Sequence, residues 1–212
     1  MEIFAPVLLY ILFMGVPFLP QAERHFDYDK SVIKTTLWYT LGTVLVSFFL
    51  FRIGVSLASV FYIVTSFIAL IVPTILFAEW WQKYGRPYMP QTKFSGKMTT
   101  FYDFTPRFSF VKLLEILFQD ACAIAFILLI QQYFQNTLLT IGAFGFVFLF
   151  VHIAALKYYE KFWSWLIFAA VFLAIAAVPI ILYLEIGYSL LYLAHVLSYV
   201  GFLMLVRKKQ KQ

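Results

Sequence analysis

Long apolar runs separated by short polar connections dominate this chain of 212 residues. The runs are continuous rather than alternating, and most of them reach the roughly 20 residues that an α-helix needs to cross the hydrocarbon core. The pattern predicts an all-α, polytopic membrane protein with about seven transmembrane helices. The seven runs cover residues 4–20, 34–51, 55–77, 108–130, 137–156, 162–184 and 186–206.

The composition supports a membrane protein and limits the classes of partner. Hydrophobic residues make up 63% of the chain and charged residues 12%, which excludes an ordinary soluble domain. The net charge of +6 comes from basic residues beside the apolar runs, where lipid head groups account for them. We therefore expect the lipid bilayer and other membrane-protein subunits as partners, and no nucleic acid.

The basic residues also predict an orientation. When the connections are numbered alternately, fifteen of the sixteen Lys and Arg residues fall on one side of the membrane, and only Arg52 falls on the other. Positive charge is retained on the cytoplasmic side, so the N-terminus is expected outside and the C-terminus in the cytoplasm. The expected location is the bacterial cytoplasmic (inner) membrane.

One membrane domain with three parts is expected. Residues 1–107 form an N-terminal three-helix part that ends in a cytoplasmic loop over 79–107, residues 108–206 form a four-helix core, and residues 207–212 form a basic cytoplasmic tail. The loop is rich in Gly, Pro, Tyr and Lys, and two interpretations stay open for it: a functional loop, or a segment lying on the head groups.

Few polar residues fall inside the runs, and any chemistry must come from them. Ionisable groups in a membrane are costly and usually face a bundle interior. In the fourth run Glu115 and Gln119 share one helix face, whereas Asp120 points about 100° away from Gln119. The candidate residues, with the tyrosines that share a helical stripe with the last histidine, are Glu115, Gln119, Asp120, His152, Tyr188, Tyr192, His195 and Tyr199.

Asp120, His152 and His195 are expected at similar depths, between the cytoplasmic interface and the midplane. Two imidazoles and a carboxylate suit a metal ion, with His152 and His195 as ligands, or a general base. The same residues also suit hydrogen bonds that fix helix packing, and spacing alone favours this second role.

Three short motifs resemble those of the CPBP family, the CAAX-prenyl endopeptidases and bacteriocin-processing or self-immunity membrane proteins. The family pattern is Glu-Glu-x-x-x-Arg, then Phe-x-x-x-His, then His-x-x-x-Asn or Asp, on successive core helices. The matching segments begin at Gln119, Phe148 and His195, and the resemblance covers about residues 108–206. It implies a CPBP-like core with a site formed by Gln119, Asp120, His152 and His195.

The chain departs from this pattern at catalytic positions. Gln119 and Asp120 stand where the family has paired glutamates, Ile124 stands for the Arg, and Tyr199 stands for the closing Asn. In the family the first Glu, with the histidines, is held to activate water, and an amide cannot accept that proton. Asp120 would substitute for that Glu only if the helix were rotated or a different register applied, and Glu115 is a second, weaker candidate base.

Three functions follow from these observations. The favoured one is a non-catalytic binding or scaffold subunit of a membrane complex that retains the CPBP-like fold. The second is an active intramembrane endopeptidase that uses Asp120, His152 and His195. The third is a haem protein, with His152 and His195 as axial ligands of haem b. No bound cofactor is expected under the first function, and zinc or haem b are the alternatives under the other two.

Overall fold

The computed structural model describes residues 4–16, 31–84, 104–156, 163–184 and 186–205. Within these ranges the regular structure is α-helical, with seven α-helices and no strand, so the all-α prediction is confirmed for them. In chain order the helices are α1 (Phe4–Gly15), α2 (Val32–Arg52), α3 (Leu57–Tyr84), α4 (Pro106–Phe134), α5 (Thr137–Leu156), α6 (Trp163–Tyr183) and α7 (Gly187–Leu205).

Three of these helices, α2, α3 and α4, are long and apolar enough to cross a membrane. Helix α1 and the described apolar segments of α5 and α6 are shorter. The outward faces of the helices carry many large apolar side chains, among them Leu37, Phe48 and Phe61, as expected of a lipid-exposed surface. The chain is therefore a helical membrane protein.

Helix α4 is the central helix of the bundle. It packs against each of the other six helices. Of its apolar segment 83% is buried, compared with 22% for α2 and 11% for α3. A helix that is apolar on all sides is expected at the centre of a membrane bundle, because every face of it meets protein. The polar side chains in the middle of α4, those of Glu115, Gln119 and Asp120, therefore lie inside the protein although they point in different directions.

The N-terminal helices are fixed on α4 by close packing of aromatic rings. Gly42 of α2 lies so close to α4 that an added Cβ would approach the Phe118 ring to 2.9 Å and the Phe13 ring to 2.8 Å. The Phe13 and Phe118 rings are 5.2 Å apart, and Trp38 Nε1 donates a hydrogen bond to the Phe13 carbonyl at 2.9 Å. A small residue at position 42 is thus required for α1, α2 and α4 to meet.

The structure corrects the start of the connection predicted over residues 79–107. Helix α3 continues to Tyr84 because its last turns pack inward, with Trp81 buried. The Phe77 ring lies 6.0 Å from the Trp81 ring and contacts the Phe104 ring edge-on at 5.6 Å. Residues 85–103 lie outside the described ranges. Helix α4 then begins at Pro106, where the Thr105 side chain accepts a hydrogen bond from Phe108 N at 3.0 Å.

Candidate functional site

A carboxylate–imidazole pair joins α4 to α7 in the interior of the bundle. Asp120 Oδ1 and His195 Nδ1 are 2.8 Å apart, and both side chains are largely buried. An ionised carboxylate only accepts hydrogen bonds. With the carboxylate ionised, the Nδ1–H group of His195 therefore donates the hydrogen bond and Asp120 Oδ1 accepts it. In a neutral ring this leaves Nε2 as a hydrogen-bond acceptor.

The second carboxylate oxygen of Asp120 has no such partner. Asp120 is 4% exposed, and its Oδ2 atom is buried without a hydrogen-bond partner among the described residues. A buried acceptor without a donor is unfavourable, and native proteins usually satisfy it with a water molecule or an ion. The described residues therefore leave the hydrogen-bonding capacity of Asp120 Oδ2 unused.

The other buried carboxylate of α4, that of Glu115, accepts two hydrogen bonds on one oxygen atom. Its Oε1 atom accepts a hydrogen bond from Lys112 Nζ at 2.7 Å and another from Gln119 Nε2 at 2.7 Å. The Gln119 amide also approaches Met14 Sδ of α1 at 3.6 Å. The prediction that Glu115 and Gln119 share a face of the helix is confirmed. This network, which we call the Glu115 cluster (Lys112, Glu115 and Gln119), holds one ion pair inside the protein.

A small cavity lies beside the Asp120–His195 pair, between α1, α4, α5 and α7. Its volume is about 50 Å³, which is room for a few water molecules. Gln119, Asp120 and His195 supply its polar wall. The rest of the wall is mainly apolar and aromatic: Pro6, Val7, Tyr10, Cys122, Ala123, Phe126, Phe144, Val147 and Phe148.

Helix α7 positions His195 through its tyrosine stripe. Tyr192 is fully buried, and its hydroxyl donates a hydrogen bond to the Leu113 carbonyl of α4 at 3.2 Å. Tyr199 lies one turn beyond His195, and Lys112 Nζ is 5.1 Å from the centre of its ring. Tyr192 and Tyr199 fix α7 against α4 on both sides of His195. Their hydroxyl and ring contacts thus determine where the imidazole lies.

Asp120 reaches α7 although it points about 100° away from Gln119. Of the residues expected at similar depth, the structure brings Asp120 and His195 into contact. The physical reason is that α4 is surrounded by protein, so a side chain 100° from Gln119 still points at a neighbouring helix. Gln119 and Asp120 both line the cavity, and Ile124 is buried in the apolar core.

The metal and haem hypotheses depend on His152. His152 belongs to α5, and its side chain lies outside the described part of the structure. Among the described side chains, no three His, Cys, Asp or Glu residues are placed to hold a metal ion. The members of the predicted cluster whose side chains are described are Gln119, Asp120 and His195, and Asp120 contacts His195 directly.

Sequence analysis missed the role of Lys112. It was counted as a basic residue that marks the cytoplasmic boundary, but its amine pairs with Glu115 inside the bundle and is only 13% exposed. The spacing of Lys112 and Glu115, at i and i+3 on one helix, is the signal that predicts this pair. Met14 of α1 gave no such signal, because a contact across 105 residues has no periodicity to reveal it.

The chain was compared with protein-family models, curated proteins and solved structures. No protein-family model, no curated protein and no solved structure matches the chain.

Proposed function

We propose that this protein is a non-catalytic binding or scaffold subunit of a membrane complex, built on a CPBP-like four-helix core. It crosses the bacterial cytoplasmic membrane seven times, with its N-terminus outside and its C-terminus in the cytoplasm. The fifteen-to-one distribution of basic residues supports this orientation. The apolar character of the shorter helices supports further crossings in addition to those of α2, α3 and α4.

The observation that carries the proposal is the size of the cavity beside Asp120 and His195. At about 50 Å³ it is far below the roughly 300–1,000 Å³ of pockets that bind ligands of drug size. A peptide segment does not fit there without separation of the helices. Gln119 stands at the position of the family's water-activating Glu. Its amide nitrogen donates a hydrogen bond to Glu115, and an amide does not act as a general base.

The polar side chains of the interior have a structural use that fits a scaffold. The Glu115 cluster reaches α1 through Met14, the Asp120–His195 pair joins α4 to α7, and Tyr192 joins the same two helices. Hydrogen bonds between membrane helices specify which helices pack together and in which register. The interior polar groups therefore serve to hold the bundle in one arrangement.

Accessibility of single cysteines tests the proposed topology. In a Cys122→Ala background, Lys93→Cys and Lys211→Cys are expected to react with an impermeant maleimide only from the cytoplasmic side. Asn136→Cys, in the exposed turn between α4 and α5, is expected to react from outside. Opposite accessibility of positions 93 and 211 would contradict the seven-span arrangement.

Cleavage assays and purification from native membranes test the scaffold function. The purified protein is expected to leave membrane-anchored peptides intact and to co-purify with another membrane protein in a fixed ratio. The ratio is expected to persist after a wash at high salt, since partners within the bilayer are held by packing and not by exposed charges.

An intramembrane endopeptidase is the second candidate, and one observation favours it. Asp120 fixes the tautomer of His195 by binding Nδ1, as the carboxylate does in hydrolytic sites where the other ring nitrogen acts as the base. Cleavage that is lost in both Asp120→Ala and His195→Ala, with the proteins still folded, would replace the scaffold function by this one. Cleavage that survives both substitutions would point to a contaminating protease.

A further inference from the structure

The middle part of the central helix α4 reaches the surface of the bundle along one narrow face. From Leu113 to Ile127 every residue of α4 is buried except Ala123 and Phe126, which are half-buried. These two residues are spaced i and i+3, so they lie on the same face of the helix. Both line the cavity between α1, α4, α5 and α7. The cavity therefore opens to the outside of the bundle.

The wall of the cavity calls for an apolar occupant. Val7 of α1 and Phe148 of α5 also line it, and both are half-buried. One oxygen of Asp120 contacts His195 and the other is buried, so this carboxylate offers little polar surface to the cavity. The volume would admit water, but an apolar wall does not supply the hydrogen bonds that ordered water needs.

The depth of the cavity identifies the apolar group that is at hand. Helix α4 runs from Pro106 to Phe134 and is long enough to cross a membrane, so its midpoint at Asp120 lies near the bilayer midplane. At about 1.5 Å per residue, Ala123 and Phe126 lie within about 9 Å of that level. Head groups begin about 15 Å from the midplane of a hydrocarbon core about 30 Å thick, whereas acyl chains end near the midplane.

We propose that the terminal part of one phospholipid acyl chain occupies this cavity, between α1 and α5 and against α4. The gain comes from packing, because lipid chains are as apolar as the wall and no transfer from water is involved. An empty space beside Phe126 and Phe148 would lose the dispersion contacts that a chain supplies. The volume of about 50 Å³ takes only the end of a chain, and a partner helix about 10 Å across is too wide for it.

This inference goes beyond the proposed function and does not depend on it. An acyl chain in the cavity packs on this protein whether or not a partner subunit is bound. It also covers the Asp120–His195 pair on the side of the cavity, and so keeps water away from that pair. Contact with lipid is measured on the isolated protein in a defined bilayer, where partner subunits are absent. The two proposals therefore fail separately.

Photolabelling in phosphatidylcholine liposomes tests the site. The full-length protein is reconstituted with a small fraction of phosphatidylcholine that carries a diazirine at the end of one acyl chain, and mass spectrometry locates the labelled residues. Ala123 and Phe126 are expected to be labelled. A second probe, with the diazirine next to the glycerol ester, is expected to leave them unlabelled because it lies near the head groups. Absence of label at both residues with the first probe, or equal labelling by the two probes, would overturn the proposal.

Three variants locate the contact. Ala123→Phe fills the cavity from α4 and is expected to remove most of the label at Phe126. Val147→Phe fills it from α5, and it decides the matter where Ala123→Phe does not fold. Ala69→Phe is the matched control, since Ala69 is an exposed small residue of α3 that does not line the cavity, and the label at Phe126 is expected to persist in it. Undiminished label at Phe126 in a folded cavity-filling variant would overturn the proposal.

Discussion

Glu115 and Asp120 are two carboxylates on one helix, little more than a turn apart and almost equally buried, at 3% and 4% exposure. Their surroundings differ. One oxygen of Glu115 accepts hydrogen bonds from the Lys112 amine and the Gln119 amide, so its charge is paired within the same helix. Asp120 contacts one imidazole from a distant part of the chain, and its second oxygen is buried without a partner among the described residues.

The two carboxylates therefore differ in how far their charge is paired by the described residues. Loss of Glu115 leaves the Lys112 amine buried without the carboxylate that it contacts. A half-satisfied carboxylate contributes less to the fold, because the cost of its unpartnered oxygen offsets part of what its one hydrogen bond contributes. Burial alone therefore does not distinguish the two carboxylates, but the inventory of hydrogen-bond partners does.

The largest effect is expected from Glu115→Ala. This change leaves the Lys112 amine buried without its counter-ion and removes the acceptor of the Gln119 amide, so the free energy of unfolding should fall by about 3–5 kcal/mol. Equilibrium unfolding in mixed micelles measures the loss. The double variant Lys112→Met, Glu115→Leu should be closer to wild type than Glu115→Ala, since both charges are removed together. A double variant less stable than the single one would contradict the assigned pairing.

A smaller loss, of about 1.5–3 kcal/mol, is expected from Asp120→Ala. The change removes one charged hydrogen bond between α4 and α7 but also removes the unpartnered Oδ2 atom. A double-mutant cycle with His195→Ala should give a coupling energy of about 1 kcal/mol or more, because the two side chains are in direct contact. Additive losses would show that the contact contributes nothing to stability, and the contrast with Glu115 would then lose its basis.

The smallest effect is expected from Tyr192→Phe, at about 0.5–1.5 kcal/mol. This substitution removes the hydroxyl that binds the Leu113 carbonyl and keeps the buried ring. It tests whether α7 is held by its hydrogen bonds or by its packing. A loss larger than that of Asp120→Ala would mean that the tyrosine stripe, and not the Asp120–His195 pair, is the main polar link between α4 and α7.

The helices could be predicted from the sequence because the length of an apolar run, taken as a helix, can be compared with the thickness of a bilayer. This prediction failed at the end of α3, where the polar residues after Phe77 indicated a loop, although Trp81 and Phe104 pack on Phe77 and extend the helix. The contact with Phe104 joins residues that are distant in the chain and leaves no periodic pattern. Hydrogen bonds from Asp120 to the histidines were predicted, but which histidine Asp120 contacts was not. Spacing fixes the angle between two side chains on a helix, but it does not say how many neighbours surround that helix.

The position of α4 at the centre of the bundle has a consequence for biosynthesis. Helices α1, α2 and α3 share α4 as a packing partner, yet all three are made before it. While they enter the bilayer, the side chains that later contact α4, such as Tyr39 of α2 and Phe67 of α3, still face lipid or the insertion machinery. The first half of the protein therefore acquires its contacts with α4 only after that helix has been synthesised. A chain that stalls at the connection before α4 presents unassembled helices to the quality-control proteases of its membrane.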